Sequence, residues 1–317
     1  MGTAWKKGLA YAVIYLVWGS TFLAIRICVQ EVPPFLCASI RFLLAGALLW
    51  GWTLARRERQ PRGRERLTTV VVAFLIFVLD YGLVFWAERK VPSGIAAVML
   101  ATIPLFMAIS EILVLRERRL TLRLAIALLM GITGVAVLTS RTLGLGGTPV
   151  PRAEAVGLII GAMSWAVASV LTRRLPLPAS KVVTSGSQMF VGGVLLSLIA
   201  AGLGEARAFD PSTVSPKAWL ALAYLIVPGS IVAFTAYTWL IQVDSPTRVG
   251  TYAYVNPIVA VLLGYFAGGE DLSLRTVLGS LLVLVSVVVI MAESRGKGLT
   301  SRPRTSPSAS APSGTAR

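Results

Sequence analysis

The chain has 317 residues, of which 56% are hydrophobic and only 14% charged, with a mean hydropathy of +0.76. Soluble domains of this size carry roughly a quarter charged residues, so this composition argues against a soluble fold. The formal net charge is +16, there is no histidine and there are two cysteines, which removes the commonest catalytic base, the commonest transition-metal ligand and any disulfide or structural-zinc framework.

A helix needs about 20 apolar residues to cross the hydrocarbon core. Such stretches recur at 8–28, 34–55, 67–87, 92–115, 121–140, 153–172, 180–203, 217–241, 246–268 and 272–292. The sequence therefore predicts an all-α integral membrane protein with ten transmembrane helices surrounded by lipid. Lys6 and Lys7 open the first span with no small-residue cleavage site behind it, so this helix is expected to stay. Trp18 falls mid-span, away from the membrane edges where tryptophans usually collect, with Ser20 and Thr21 beside it. Arg26, nearer the end, is placed to snorkel. Cys28 and Cys37 flank the first hairpin and read as two small buried hydrophobes rather than a disulfide.

An ionisable group inside a span is a functional candidate by default. Arg41 in the second span is either a counter-charge for a substrate carboxylate or half of a structural pair. Asp80, the only Asp well inside a span, is expected to form a fixed ion pair with Arg41; a titrating coupling group and a contact for a cationic amine are the alternatives. Pro104 in the fourth span and Pro257 in the ninth kink their helices, as gating bends or as static cavity shaping. Glu111 and Glu117 close the fourth span, and Glu117 and Glu270 are expected to cap packing between repeats. Trp165 and Ser164 sit in the sixth span, and Tyr237, Tyr252, Tyr254 and Asn256 form a polar-aromatic group in the eighth and ninth. The Asn256 amide can satisfy the backbone beside Pro257 or reach substrate. Small residues four apart, Ala127/Gly131, Gly157/Gly161 and Gly264/Gly268, mark close helix contacts. The tail, 294–317, is rich in Ser, Pro and Arg and is expected to be disordered.

Two features organise these spans. With a cytoplasmic N-terminus, 21 Lys and Arg fall on the inner side and seven on the outer, so the positive-inside rule puts both termini in the cytoplasm. The chain also repeats. Pro104 and Glu117 reappear as Pro257 and Glu270, 153 residues on, and Trp18 and Arg26 reappear as Trp165 and Arg173, 147 residues on. The same shift of 147 carries Gly46-Ala47-Leu48-Leu49 onto Gly193-Val194-Leu195-Leu196. Because five is odd, the second copy enters from the opposite face, which makes the pair an inverted repeat of the kind found in secondary transporters.

Trp18-Gly19-Ser20-Thr21-Phe22, Ile40-Arg41-Phe42-Leu43-Leu44-Ala45-Gly46, Trp86-Ala87-Glu88, Val91-Pro92-Ser93-Gly94 and Ala101-Thr102-Ile103-Pro104-Leu105 resemble the EamA branch of the drug/metabolite transporter superfamily. So does Tyr254-Val255-Asn256-Pro257-Ile258 with Glu270. The resemblance implies two inverted five-helix EamA-like repeats, 1–146 and 147–293, around a central cavity, and export of small metabolites such as amino acids. Asp80 departs from it, since a neutral or amide residue is expected there.

The function expected is a secondary transporter that exports small amphipathic metabolites across the cytoplasmic (inner) membrane of a bacterium by alternating access. Trp18, Thr21, Arg41, Asp80, Trp165, Tyr237, Tyr252 and Asn256 are its candidate substrate-binding residues. A channel or facilitator is the alternative, but the polar residues are isolated rather than in a continuous stripe. A membrane-embedded enzyme has less support, because no histidine and no carboxylate pair at acid/base spacing is present. No GxxxxGK[ST] motif occurs, so ATP hydrolysis is not expected. No cofactor, metal or nucleic-acid partner is implied, and a homodimer is left open.

Overall fold

The computed structural model describes residues 3–110, 112, 121–139, 150–172, 174–243, 249 and 251–298. Those residues are helical or in turns and loops, without strands. Eight helices among them are long and apolar enough to cross a membrane, and two shorter apolar helices follow. They are α1 (Thr3–Val29), α2 (Pro34–Ala55), α3 (Arg64–Ala87), α4 (Ser93–Ser110), α5 (Leu122–Thr139), α6 (Arg152–Leu171), α7 (Lys181–Gly202), α8 (Pro216–Tyr224, continuing to Val243), α9 (Tyr252–Gly268) and α10 (Leu274–Gly298). The sequence places the end of the last span at 292, and helix α10 continues past it to Gly298. Glu111, Glu117 and Arg173 lie outside the described residues, as does the tail beyond Gly298.

Several helices are irregular. Phe74–Gly82 in α3 and Leu225–Val232 in α8 are π-helical, with wider turns than the α-helix on either side. In α8 the segment holds Pro228, which has no N–H to donate, and Ser230 Oγ donates to Leu225 O at 2.9 Å. In α3 the carbonyl of Leu75 accepts from Ser164 Oγ of α6 at 2.7 Å. Helix α4 breaks at Ala101-Thr102, just before Pro104. Thr102 Oγ1 donates to Met99 O there at 2.6 Å. The bend expected from Pro104 coincides with a break in the helix at Ala101-Thr102.

The helices meet in reciprocal pairs. Helix α2 packs on α7 and α5 on α10; α1 packs on α9 and α8, while α6 packs on α4 and α3. At the α2–α7 contact three glycines let backbone approach backbone. A Cβ on Gly46 would lie 2.3 Å from Phe190 N, one on Gly193 would lie 2.5 Å from Leu43 N, and one on Gly186 would lie 2.8 Å from Trp50 N. As the α2 number rises the α7 number falls, so the two helices run antiparallel. Phe190 and Gly193 are Leu43 and Gly46 shifted by 147. Each helix therefore presents the same pair of positions to the other, as at an isologous two-fold contact. The α5–α10 contact is also antiparallel, with Gly131 beside Ser286, Gly134 against Val283 and Gly279 against Leu138. The small residues picked out by spacing behave as expected: Gly157 faces Trp86, Gly161 faces Asp80, and Gly264 and Gly268 pack on Glu270 and Leu23.

At one end of the bundle, acidic side chains tie the first half to the second. Glu31 accepts from Ser215 N and Oγ at 2.6 and 2.7 Å, and Glu205 accepts from Leu36 N at 2.8 Å near the start of α2. Lys90 Nζ meets Glu154 at 2.6 Å. Glu270 accepts from Ser93 N at 2.6 Å and Gly94 N at 3.1 Å, capping α4. A carboxylate suits these positions because the first N–H groups of a helix lack intrahelical partners and carry partial positive charge. Arg26 does not snorkel. Its Nε lies 3.9 Å from Glu270, and its Nη1 donates to the carbonyls of Glu88 and Val91. The α9–α10 loop folds Glu270 back over Arg26, so the charge finds protein acceptors instead of the membrane surface.

Candidate functional site

The first site element forms where α1, α8 and α9 meet. Trp18 Nε1 donates to Gly229 O at 3.2 Å, in the π-helical part of α8. The indole packs against Tyr237 and Tyr252 at ring-centroid distances of 5.2 and 5.1 Å. Tyr237 and Tyr252 meet edge-to-face at 6.0 Å, a favoured aromatic geometry. Thr21 Oγ1 donates to Trp18 O at 2.6 Å, and its methyl faces Gly229. Asn256 belongs to the same group: in the orientation that satisfies its amide, the nitrogen donates to Tyr252 O and Tyr15 O, both at 3.3 Å. Both acceptors are backbone carbonyls.

The second element surrounds Arg41, which is 2% exposed. Its Nε donates to Ser230 Oγ at 3.0 Å, and Nη1 is buried without a hydrogen-bond partner. The guanidinium lies over Phe42, Tyr81 and Phe85 at 4.8, 5.2 and 5.9 Å. Tyr81 in turn meets Trp165 edge-to-face at 5.9 Å. Arg41 and Trp165 are thereby joined through one tyrosine that the sequence reading did not single out.

Asp80 corrects an expectation. It is buried at 3%, yet no ion pair joins it to Arg41 among the described residues. The reason is directional. Arg41 reaches across to Ser230 of α8, whereas Asp80 faces α6, where a Cβ on Gly161 would come within 3.1 Å of its Oδ1. That oxygen has no hydrogen-bond partner. Pro104 and Pro257 sit in α4 and α9 and touch neither polar group directly in the contacts above. Cys28 and Cys37 are free thiols and buried.

A cavity of about 400 Å³ opens between α1, α8 and α9, lined by Leu16, Ser20, Tyr224, Val259, Leu262 and Leu263. Its polar point is the hydroxyl pair of Ser20 and Tyr224, 2.6 Å apart. Its lining includes none of the eight candidate binding residues. Ser20 is marked in the sequence only as a neighbour of Trp18, and Tyr224, 204 positions away, lies in no recognisable motif.

The Trp18 contacts give a direct test. Trp18→Phe keeps an aromatic ring between Tyr237 and Tyr252 and removes one hydrogen bond, worth about 1 kcal/mol. A fall in Tm of a few degrees is expected in detergent. A transport loss well beyond that shift would place the indole against substrate, and an equal loss would make it structural.

The model of the EamA-like transporter family matches this sequence twice, over residues 6–140 and 153–292. The chain belongs to the EamA-like transporter family. The EamA-like chain is 38% identical over 283 residues to the uncharacterized inner membrane transporter YedA of Escherichia coli, covering 89% of each. It is 27% identical over 276 residues to the protein PecM of Dickeya dadantii, covering 86% and 88%. It also resembles an uncharacterized transporter of Archaeoglobus fulgidus at 25% identity over 290 residues, covering 91% and 98%. A solved crystal structure covers 93% of this chain and 99% of its own with a TM-score of 0.61 at 24% identity, a likeness of fold alone. With its apolar helices, this EamA-like chain is a transmembrane transporter.

Proposed function

We propose that the protein is a ten-span secondary transporter of the bacterial inner membrane that exports small amphipathic metabolites, amino acids among them, by alternating access. Its two five-helix repeats, 1–146 and 147–293, are inverted relative to one another, and both termini face the cytoplasm. The observation that carries this reading is the self-reciprocal antiparallel contact of α2 with α7, in which Leu43 and Gly46 face Gly193 and Phe190. Where equivalent helices of two copies related by an axis in the membrane plane touch, they meet in this way. The double match of the family model is consistent with it. Each half can adopt the other's conformation, so inward-open and outward-open states have similar energies.

The substrate site in this reading lies between the two elements above and uses Trp18, Thr21, Arg41, Asp80, Trp165, Tyr237, Tyr252 and Asn256. The buried guanidinium with an unpartnered Nη1 favours a substrate bearing a carboxylate, and the aromatic rings around it favour an apolar body. Pro104 and Pro257 supply the bends about which the halves open. Reconstitution into liposomes with a panel of labelled amino acids tests this. Saturable counterflow is expected, and flux that grows linearly with concentration would sink the carrier reading.

A further inference from the structure

Glu88 follows the last residue of α3 and ends the motif Trp86-Ala87-Glu88. It is fully buried, and neither of its carboxylate oxygens has a hydrogen-bond partner. Its surroundings contain charge without satisfying it. Arg26 of α1 spends Nη1 on the backbone carbonyls of Glu88 and Val91 and directs Nε at Glu270. Glu270, from the α9–α10 loop, is committed to the N–H groups of Ser93 and Gly94. Arg41 of α2, the third charged group acting on Glu88, is bonded to Ser230. Ser93 Oγ, at the start of α4, is buried without a partner as well.

An ionised carboxylate held dry without hydrogen bonds costs several kcal/mol, and the usual resolution is to take up a proton. We propose that Glu88 is a proton-binding site, and that the two halves of the transporter close at this end only when it is occupied. The site lies among links that join one half to the other at this end, Glu31–Ser215, Glu205–Leu36, Lys90–Glu154, Glu270–Ser93 and Arg26–Glu270 among them. Opening this end hydrates Glu88, releases the proton and leaves a carboxylate that opposes reclosure. Burial and the neighbouring Glu270 charge push the Glu88 carboxyl well above the usual carboxylate range, against the opposing pull of Arg26 and Arg41. A group whose pKa is raised in the closed state favours that state at low pH, and the preference is lost as pH rises through the raised value. The second half does not carry this device. Trp239 stands where the shift of 153 carries Trp86, but Ile241 stands where it carries Glu88.

This inference rests on the alternating-access reading for its consequence, and its first test is independent of transport. The infrared spectrum of the purified full-length protein at pH 7 is expected to contain a protonated-carboxyl stretch that the isosteric Glu88→Gln variant lacks. Absence of any difference would mean that Glu88 is ionised when buried and would overturn the proposal. Loss of the band on adding sodium would also overturn it, by making the site one for a metal cation. The second test labels Val91→Cys, at a fully buried position beside the site, with a maleimide between pH 5.5 and 8.5. The rate is taken relative to the same cysteine in the Glu88→Gln background, which cancels the pH dependence of the thiol. That ratio is expected to rise with pH by up to about tenfold per unit, the limit for one proton. A flat ratio would overturn the coupling to closure. Failure of counterflow with the infrared band intact would count against the carrier reading and leave the proton site standing.

Discussion

Gly46→Ala is expected to destabilise the protein by at least about 3 kcal/mol, or to abolish its accumulation in the membrane. A methyl group there would lie 2.3 Å from Phe190 N and 2.7 Å from Phe190 Cα. Overpacking usually costs about 1–3 kcal/mol because a side chain can turn aside. Here the obstruction is backbone at the centre of a helix, so two helices must separate. Gly193→Ala should behave alike, with its methyl 2.5 Å from Leu43 N. Gly8 and Gly51 are the controls. Both are helical and have nothing within 4 Å of a built Cβ, so alanine there should be neutral or stabilising by up to about 1 kcal/mol. Thermal unfolding in detergent separates the two classes. Equal shifts at all four glycines would refute the close-packed seam.

Arg41→Met is expected to raise thermal stability while lowering transport at least about tenfold. The guanidinium is 2% exposed and forms no ion pair among the described residues. Taking an ion out of water costs several kcal/mol even after relaxation. Against that stand one hydrogen bond from the charged guanidinium to Ser230, worth about 1.5–3 kcal/mol, and the contacts with Phe42 and Tyr81, worth up to about 2 kcal/mol when desolvated. The guanidinium's Nη1 has no partner to offset its share of the penalty, so a neutral chain of similar length should stabilise the protein by up to about 1 kcal/mol. Activity should move the other way, because the unpartnered Nη1 is lost as a donor to substrate. Tm and initial counterflow rate on the same preparation decide the matter. A variant both less stable and less active would make Arg41 a structural residue.

The helix pattern was legible because a bilayer imposes one length on every span, and hydropathy alone reports it. Gly46 and Gly193 were visible as a repeated motif, yet their role as a backbone seam depends on α2 and α7 being antiparallel neighbours, which no local signal states. Arg41 was recognisable as a buried charge. Its acceptor, Ser230, was not, since a serine 189 positions away in a π-helical turn carries no mark in the sequence. The Arg41–Asp80 pairing failed for a related reason: opposite charges in adjacent spans suggest a pair, but helix rotation sends one toward α8 and the other toward α6. The π-helical stretch of α3 left no trace, because its free carbonyl is satisfied by Ser164 from another helix. Glu88 could be quoted as part of a motif, while its burial depends on loops from both halves folding over it.

The α2–α7 seam also has a mechanical side. The contacts of Leu43 and Gly46 with Gly193 and Phe190 fall at the midpoints of Pro34–Ala55 and Lys181–Gly202. At the crossing itself glycine backbone sits against helix backbone, so the closest approach of the two helices is at their centres, with the Trp50 and Phe190 rings packed to one side. Each helix is 22 residues long, so its ends lie about 16 Å from the point of contact at 1.5 Å rise per residue. A tilt of about 10° around this fulcrum leaves the glycines in place and carries each end through about 3 Å, roughly the diameter of a water molecule.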